Sequence, residues 1–251
     1  MKNKPYVNIE IANNMGMITF YHPAHNSLPG NLLNELAELI IEAGQNDAVK
    51  VIVLKSAGNR VFCAGANFQE LLAINTIDEG RQFFSGFAKV INACRKCPKF
   101  IIARVQGKAV GGGVGLAAAV DYCMATQYAS IKLSELNIGI GPFVVGPAVE
   151  RKVGLSGMSQ LAINADTFQS AQWAKEKGLY TDIFDTTEEL DDAIVELSLK
   201  LAKYNPKAMQ LLKSTFWKGT EHWDELLNER ANTSGSLILM DYSKKVLINS
   251  K

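Results

Sequence analysis

The chain has 251 residues, of which 47% are hydrophobic, and a formal net charge of +1 with acidic and basic residues interspersed. It can therefore bury a sizeable core, it shows no clustered Lys/Arg footprint for nucleic acid, and no apolar run is long enough to span a membrane. The opening stretch Met1 to Tyr6 has no apolar leader core, so a cytoplasmic location is expected.

Tyr6 to Ile11 and Gly16 to Tyr21 alternate apolar and polar residues around Asn13-Asn14, which predicts a β-hairpin. His22 to Pro29 reads as a loop. Leu32, Leu33, Leu36, Leu39, Ile40 and Ala43 recur at a helical period. Val51 to Lys55 is a β-branched strand. The small-residue turn Phe62-Cys63-Ala64-Gly65-Ala66-Asn67 follows, and then the helix-like Gln69 to Leu72. A helix is predicted over 79–95, with Phe83, Phe84, Phe87, Val90 and Ile91 on one side. It ends at Cys94-Arg95-Lys96-Cys97. That spacing fits half a zinc site or a redox pair, but no second cysteine or histidine pair accompanies it, so reduced thiols near a helix end are expected.

Phe100 to Val105 is an apolar strand. It runs into Gln106-Gly107-Lys108-Ala109-Val110-Gly111-Gly112-Gly113-Val114-Gly115, with a small-residue helix predicted from Leu116 to Val120. Glycines let a backbone approach a ligand closely and leave N–H groups free at a helix start. Strands are predicted at 122–126, 130–133 and 183–184. Helices are predicted at 145–153, 158–164, 170–177 and 187–203, and another begins at Asn205-Pro206. Strand–helix alternation followed by a run of helices gives an α/β fold. The chain reads as one domain unit, with a core over 1–190 and a C-terminal helical region over 191–251.

Two strand–turn–helix units of this kind can aim two backbone N–H groups at one point, the geometry of an oxyanion hole. The pair of turns resembles the crotonase (enoyl-CoA hydratase/isomerase) superfamily, whose pattern is a phenylalanine–small–alanine–glycine–alanine turn followed further along by a glycine triplet. The resemblance implies a spiral of ββα units with a C-terminal helical extension, and an acyl-CoA thioester as substrate. It also implies a homo-oligomer, a trimer or a dimer of trimers. CoA would then be part of the substrate, with no separate cofactor and no metal. The N–H groups of Ala66 and Gly112 would hold the thioester oxygen as an enolate forms. Fixed donors of this kind remove on the order of 3–4 kcal/mol of barrier each. Glu135, in the apolar setting Leu133-Ser134-Glu135-Leu136, would be the acid/base, since burial raises a carboxyl pKa. Ala64, Asn67, Gly111, Phe143 and Asn26 would line the substrate site.

The sequence departs from the pattern in places. Hydratases carry a second glutamate where this chain has Gly115, and two carboxylates share the work of hydration naturally. One carboxylate suits a 1,3-proton shift, as in Δ3,Δ2-enoyl-CoA isomerases, and members lacking that glutamate include decarboxylases of β-carboxy-acyl thioesters. Phe143 replaces a glycine whose N–H helps seat the reacting water, although the Phe143 N–H is retained. Asn67 and Gln69 replace the usual aspartate and lysine, and Lys213 or Lys218 are candidates to reach the CoA phosphates. His22, His25 and His222 show no metal spacing. Two other readings compete. Gly113-Val114-Gly115-Leu116-Ala117-Ala118 with Glu135 fits a dinucleotide-binding fingerprint, but the unit lies mid-chain and leaves the Phe62–Ala66 turn unexplained. The empty position at Gly115 also admits a non-catalytic CoA-binding relative. Assembly is expected through the late apolar residues Trp217, Trp223, Leu226, Leu227, Leu237, Ile238, Leu239 and Met240.

Overall fold

The computed structural model describes residues 4–249. The first residues of the leader reading and the last two of the C-terminal helical region lie outside the described residues.

The predicted hairpin is β1 (Tyr6–Ala12) and β2 (Met15–Tyr21), and Asn13 and Asn14 turn it with φ of 52° and 62°. Asparagine tolerates that left-handed region better than most residues. Helix α1 (Gly30–Gln45) buries Leu32, Leu33, Leu36, Ile40 and Ala43, which is the predicted stripe. Strand β3 (Val51–Ser56) is almost wholly buried, as its unbroken apolar run requires of a central parallel strand. After it come β4 (Val61–Cys63), α2 (Phe68–Ala73) and α3 (Ile77–Lys96). Thr76 and Glu79 form a reciprocal capping box that starts α3.

The unit repeats with β5 (Phe100–Val105), β6 (Lys108–Val110) and α4 (Gly112–Ala119), and then β7 (Tyr122–Thr126) and β8 (Ile131–Lys132). The segment α5 (Gly146–Ile163) is broken at Gly154, whose φ of 70° and ψ of 167° are not helical, so it holds two helical pieces as predicted. There follow α6 (Ala171–Glu176), β9 (Asp182–Phe184), α7 (Thr187–Leu201), α8 (Pro206–Phe216), α9 (Trp223–Leu237) and α10 (Asp241–Asn249).

One sheet has the order β1-β2-β3-β5-β7-β9, and a smaller one has β4-β6-β8. Beyond the hairpin, all pairings between these strands are parallel. The three turns that begin at β3, β5 and β7 each lay one strand in the large sheet and the next in the small sheet before a helical segment, which is the expected ββα spiral. The boundary expected at 190/191 falls inside α7. That helix packs Leu190 and Ile194 onto Val51, Val53 and Ile102 of the large sheet, and Arg104 of β5 ion-pairs with its Asp191. The late helices are equally integral. Trp217, Trp223, Leu227 and Ala231 belong to the main core, and α9 lies along α3. Among the described residues no helix is long and apolar enough to cross a membrane.

Candidate active site

The first small-residue turn is shaped by what surrounds it. Leu28 donates its N–H to the Gly65 carbonyl at 2.8 Å, and the Leu28 carbonyl accepts from Asn67 N–H at 3.2 Å. Those two bonds make a parallel bridge centred on Ala66, so the N–H of Ala66 itself is turned to the opposite side. Gly65 has φ of 89°, and a Cβ there would stand 2.9 Å from the Val110 carbonyl oxygen. Only glycine allows that turn so near the second one. The Asn67 side chain caps α2 by accepting from Gln69 and Glu70 N–H at 3.0 and 3.1 Å.

The second turn begins where Gly111 donates to the Lys132 carbonyl at 2.8 Å, closing β6 onto β8. Its φ is 53°, and a Cβ there would lie 3.0 Å from Oε1 of Glu135. Helix α4 starts at Gly112, so Gly111 caps it and the other two glycines of the triplet lie within its first turn, rather than all three standing ahead of a helix at Leu116. Glycine's low helix propensity hides this in the sequence; packing imposes it. A Cβ on Gly112 would overlap the Phe87 ring at 2.3 Å, and one on Gly113 would meet the Cys63 carbonyl at 2.4 Å. At the first position of α4 the Gly112 N–H has no carbonyl four residues back within the helix to accept it.

Glu135 opens a short 3-10 turn, Glu135–Ile138, that ends at left-handed Gly139. Helix α10 holds this turn, with the Ser243 hydroxyl donating to the Gly139 carbonyl at 3.2 Å. The residue as a whole is only partly covered, but its Oε2 is shut off from solvent and has no hydrogen-bond partner among the described residues. Burial pushes its pKa up from 4.5 to about 7, against a smaller opposing pull from its own backbone N–H. A carboxyl group so placed exchanges its proton near neutral pH.

The two turns and Glu135 border one cavity of about 390 Å³. Of the expected site residues, Glu135, Ala66, Gly112, Ala64, Asn67, Gly111 and Phe143 line it, and Asn26 does not. The Asn26 amide donates to the Ala57 and Val61 carbonyls at 2.9 Å each, and its oxygen accepts from His22 N–H, so the side chain shapes the 22–29 loop instead. Loop residues Ala24 and Ser27 reach the cavity in its place. The rest of the wall is largely apolar: Leu71, Phe83, Phe84, Phe87, Ile138, Ile140 and Val144, with Ser234 from α9. The periodicity of α3 marked its phenylalanines as core without indicating that they face a cavity. Ser234 carried no sequence signal at all.

Other expectations require correction. A Cβ at Gly115 would lie 2.4 Å from Val145 Cγ1, so the space where a side chain at 115 would emerge is already filled. The Phe143 N–H donates to the Gly141 carbonyl at 2.7 Å within a tight turn and is not free to seat a water. Lys213 is buried in an ion pair with Asp121 at 2.8 Å and also donates to the Lys99 carbonyl, so it cannot extend to a phosphate, whereas Lys218 is exposed. Trp217, Trp223, Leu227 and Ile238, expected to supply assembly surface, are buried within the chain. His22 and His25 lie in the 22–29 loop and His222 precedes α9. All four cysteines are free and buried, and burial pushes the Cys94 thiol up to about 12. Among the described residues no cluster of His, Cys, Asp or Glu could hold a metal ion.

The chain is 30% identical over 215 residues to the short-chain-enoyl-CoA hydratase of Clostridium acetobutylicum, covering 85% of this chain and 81% of that protein. It is 29% identical to the peroxisomal Δ(3,5)-Δ(2,4)-dienoyl-CoA isomerase of Arabidopsis thaliana, covering 79% and 76%. The crystal structure of an enoyl-CoA hydratase from Bacillus halodurans superposes with a TM-score of 0.90 over 97% of this chain and 99% of that one, at 22% identity, a likeness of fold. The enoyl-CoA hydratase/isomerase family profile matches residues 10–237. With that match over most of its length, and a ββα spiral like that of the solved hydratase, the chain belongs to the enoyl-CoA hydratase/isomerase, or crotonase, family.

Proposed function

We propose that the protein is an enoyl-CoA isomerase that shifts the double bond of a 3-enoyl-CoA to the 2-position. Glu135 takes a proton from the carbon between the thioester and the alkene. The electrons move onto the thioester oxygen, which the N–H groups of Ala66 and Gly112 hold as a dienolate. The carboxylic acid then returns the proton two carbons further along, and the conjugated thioester leaves with unchanged mass. The protein works as a homotrimer or a dimer of trimers.

The observation that carries this reading is that Glu135 is the one titratable side chain lining the cavity among the described residues. A single carboxyl group with a pKa near 7 suits a proton that leaves and comes back. Hydration needs a second group to position and activate water. Here Val145 fills the space at Gly115, and the Phe143 N–H is already bonded. Decarboxylation of a β-carboxy thioester is disfavoured because no Lys, Arg or His among the described residues lines the cavity to receive the carboxylate. A non-catalytic CoA binder would gain nothing from a buried carboxyl without a partner, which is costly to maintain.

Hydration of a 2-enoyl-CoA is the second reading, favoured by the 30% identity to a short-chain-enoyl-CoA hydratase. Incubation with matched 2-enoyl and 3-enoyl thioesters separates the two. The expected result is faster turnover of the 3-enoyl substrate, with unchanged mass and a new conjugated absorbance. Faster gain of one water by the 2-enoyl substrate would overturn the isomerase reading.

A further inference from the structure

A second pocket lies at the other end of α4 from the glycine turn. It has a volume of about 330 Å³ and is lined by Val120, Asp121, Arg151, Lys152, Phe216 and Trp217. Helix α4 runs from Gly112 to Ala119, so at about 1.5 Å per residue the two sites lie about 12 Å apart along it. They share no lining residue.

The charges around this pocket do not balance. Its one acid, Asp121, is fully committed. Oδ1 accepts from Trp217 Nε1 at 2.9 Å, and Oδ2 accepts from Ile101 N–H and from Lys213 Nζ at 2.8 Å each. Asp121 and Lys213 neutralise each other, which leaves Arg151 and Lys152 without a carboxylate. Lys152 is half-buried, and its one hydrogen bond among the described residues is long, to the Asp121 carbonyl at 3.4 Å. Burial pulls its pKa below the ordinary lysine value and outweighs the attraction of Asp121. Arg151 makes no ion pair among the described residues. Its guanidinium lies over the Trp217 ring, 5.4 Å from the centroid, which holds it at the pocket wall. Two adjacent cations, one of them partly desolvated, thus face one cavity with no free carboxylate among the described residues to pair with them. Charges taken out of water are normally paired.

We infer that this pocket is a phosphate site, in which Arg151 and Lys152 hold inorganic phosphate or a phosphomonoester. The two positive charges match the charge of about −1.5 to −2 that a phosphomonoester carries near pH 7, whereas a carboxylate would leave one of them unpaired. A guanidinium offers a planar fork to two phosphate oxygens, and an ammonium offers a point charge to a third. The phosphate has two possible sources, free in solution or carried by CoA. The inference does not depend on which reaction Glu135 performs.

Calorimetric titration of the full chain with inorganic phosphate, in about 0.1 M chloride to screen non-specific attraction, tests the site. The wild type should bind phosphate with a Kd of about 1 mM or below. Lys152→Met removes a charge and keeps an unbranched side chain, and Arg151→Gln changes an exposed position. Each should weaken binding by about ten- to a hundredfold. Melting temperatures in phosphate-free buffer confirm that both variants fold, and added phosphate should raise the melting temperature of the wild type alone. A parallel titration with CoA identifies the source. If both substitutions weaken CoA as well, the phosphate belongs to CoA; if they weaken inorganic phosphate alone, it is a free anion. A wild type that takes no phosphate, or a phosphate affinity equal in all three proteins, overturns the site. So does an oligomer that dissociates in Lys152→Met while the wild type ignores phosphate, because the pocket then holds an acidic side chain of a second copy.

Discussion

Glu135 holds its Oε2 without a partner among the described residues in an apolar cavity, and its raised pKa sets opposite pH dependences for stability and for rate. Between pH 4.5 and about 7 the folded chain keeps a proton that the unfolded chain has released. The stability linked to this group is therefore fully present below 4.5 and lost as pH rises to about 7. By the linkage relation the loss amounts to about 3 kcal/mol at most. Glu135→Gln should thus melt higher than the wild type at pH 8, with the gap closing at pH 5, while turnover falls by about 10²–10⁴-fold. Equal gaps at the two pH values would contradict the buried titration. In the wild type, the rate should rise with pH along a single limb centred near 7, because the base is the ionised form. Gly115 makes a second case at this scale. A side chain there meets Val145 at both Cγ1 and Cβ, at 2.4 and 2.7 Å. Gly115→Glu should therefore destabilise by about 1–3 kcal/mol or more through overpacking, rather than simply adding a carboxylate to the site. Adding Val145→Gly should recover part of that loss. Strictly additive losses in denaturant titrations would show that the two positions do not compete for one space.

At the scale of elements, the site is a product of close approaches that only small residues permit. Gly80 on α3 and Gly235 on α9 lie so near that a methyl on either meets the other helix's backbone at 2.8 Å. Alanine is the better helix former by about 1 kcal/mol, so propensity alone says that Gly80→Ala should stabilise the protein. The packing says the reverse. The variant should melt below the wild type and bind thioesters more weakly as α9 lifts from the cavity, and a higher melting temperature would mean that the contact can relax. The same point explains which elements could be read from the sequence. The long periodic helix α1, the unbroken strands β3 and β5 and the Asn13-Asn14 hairpin announce themselves through a repeated apolar pattern. The two turns were legible because glycine in that order has few other uses. Strands β4 and β6 were not, since three residues carry no period. The true start of α4 was hidden because glycine argues against helix while the surrounding Phe87 and Cys63 demand it. Ser234 and Val145 became visible only once distant segments were brought together. Asn26 and Lys213 were misread for a related reason. The sequence shows a polar group, whereas only the fold shows that the group is already committed to Ala57, Val61 and His22, or to Asp121.

At the scale of the whole molecule, the late helices close the chain on itself and still leave apolar surface outside. The aromatic pair Trp217 and Trp223 packs edge to face inside the protein, so it cannot be the adhesive face that composition suggested. What remains outside includes Met240 of the expected residues, 56% exposed, and others that were not expected. On α8, Leu211, Leu212 and Phe216 are 57%, 48% and 48% exposed, and Leu212 and Phe216 sit one helical turn apart on the same side. Scattered single apolar residues need no explanation, but neighbouring ones on one exposed face are the kind of surface that a symmetric assembly covers. Light scattering should therefore report three or six times the single-chain mass of 27.4 kDa. The double variant Leu212→Asp, Phe216→Asp should shift the population toward single chains, because each new contact would bury a charge without a partner. Thioester binding should survive in the dissociated variant, since both small-residue turns and Glu135 belong to the same chain. A wild type of single-chain mass would refute the assembly. An unchanged oligomer in the double variant would move the interface away from α8, and loss of binding on dissociation would mean that a neighbouring copy completes the site.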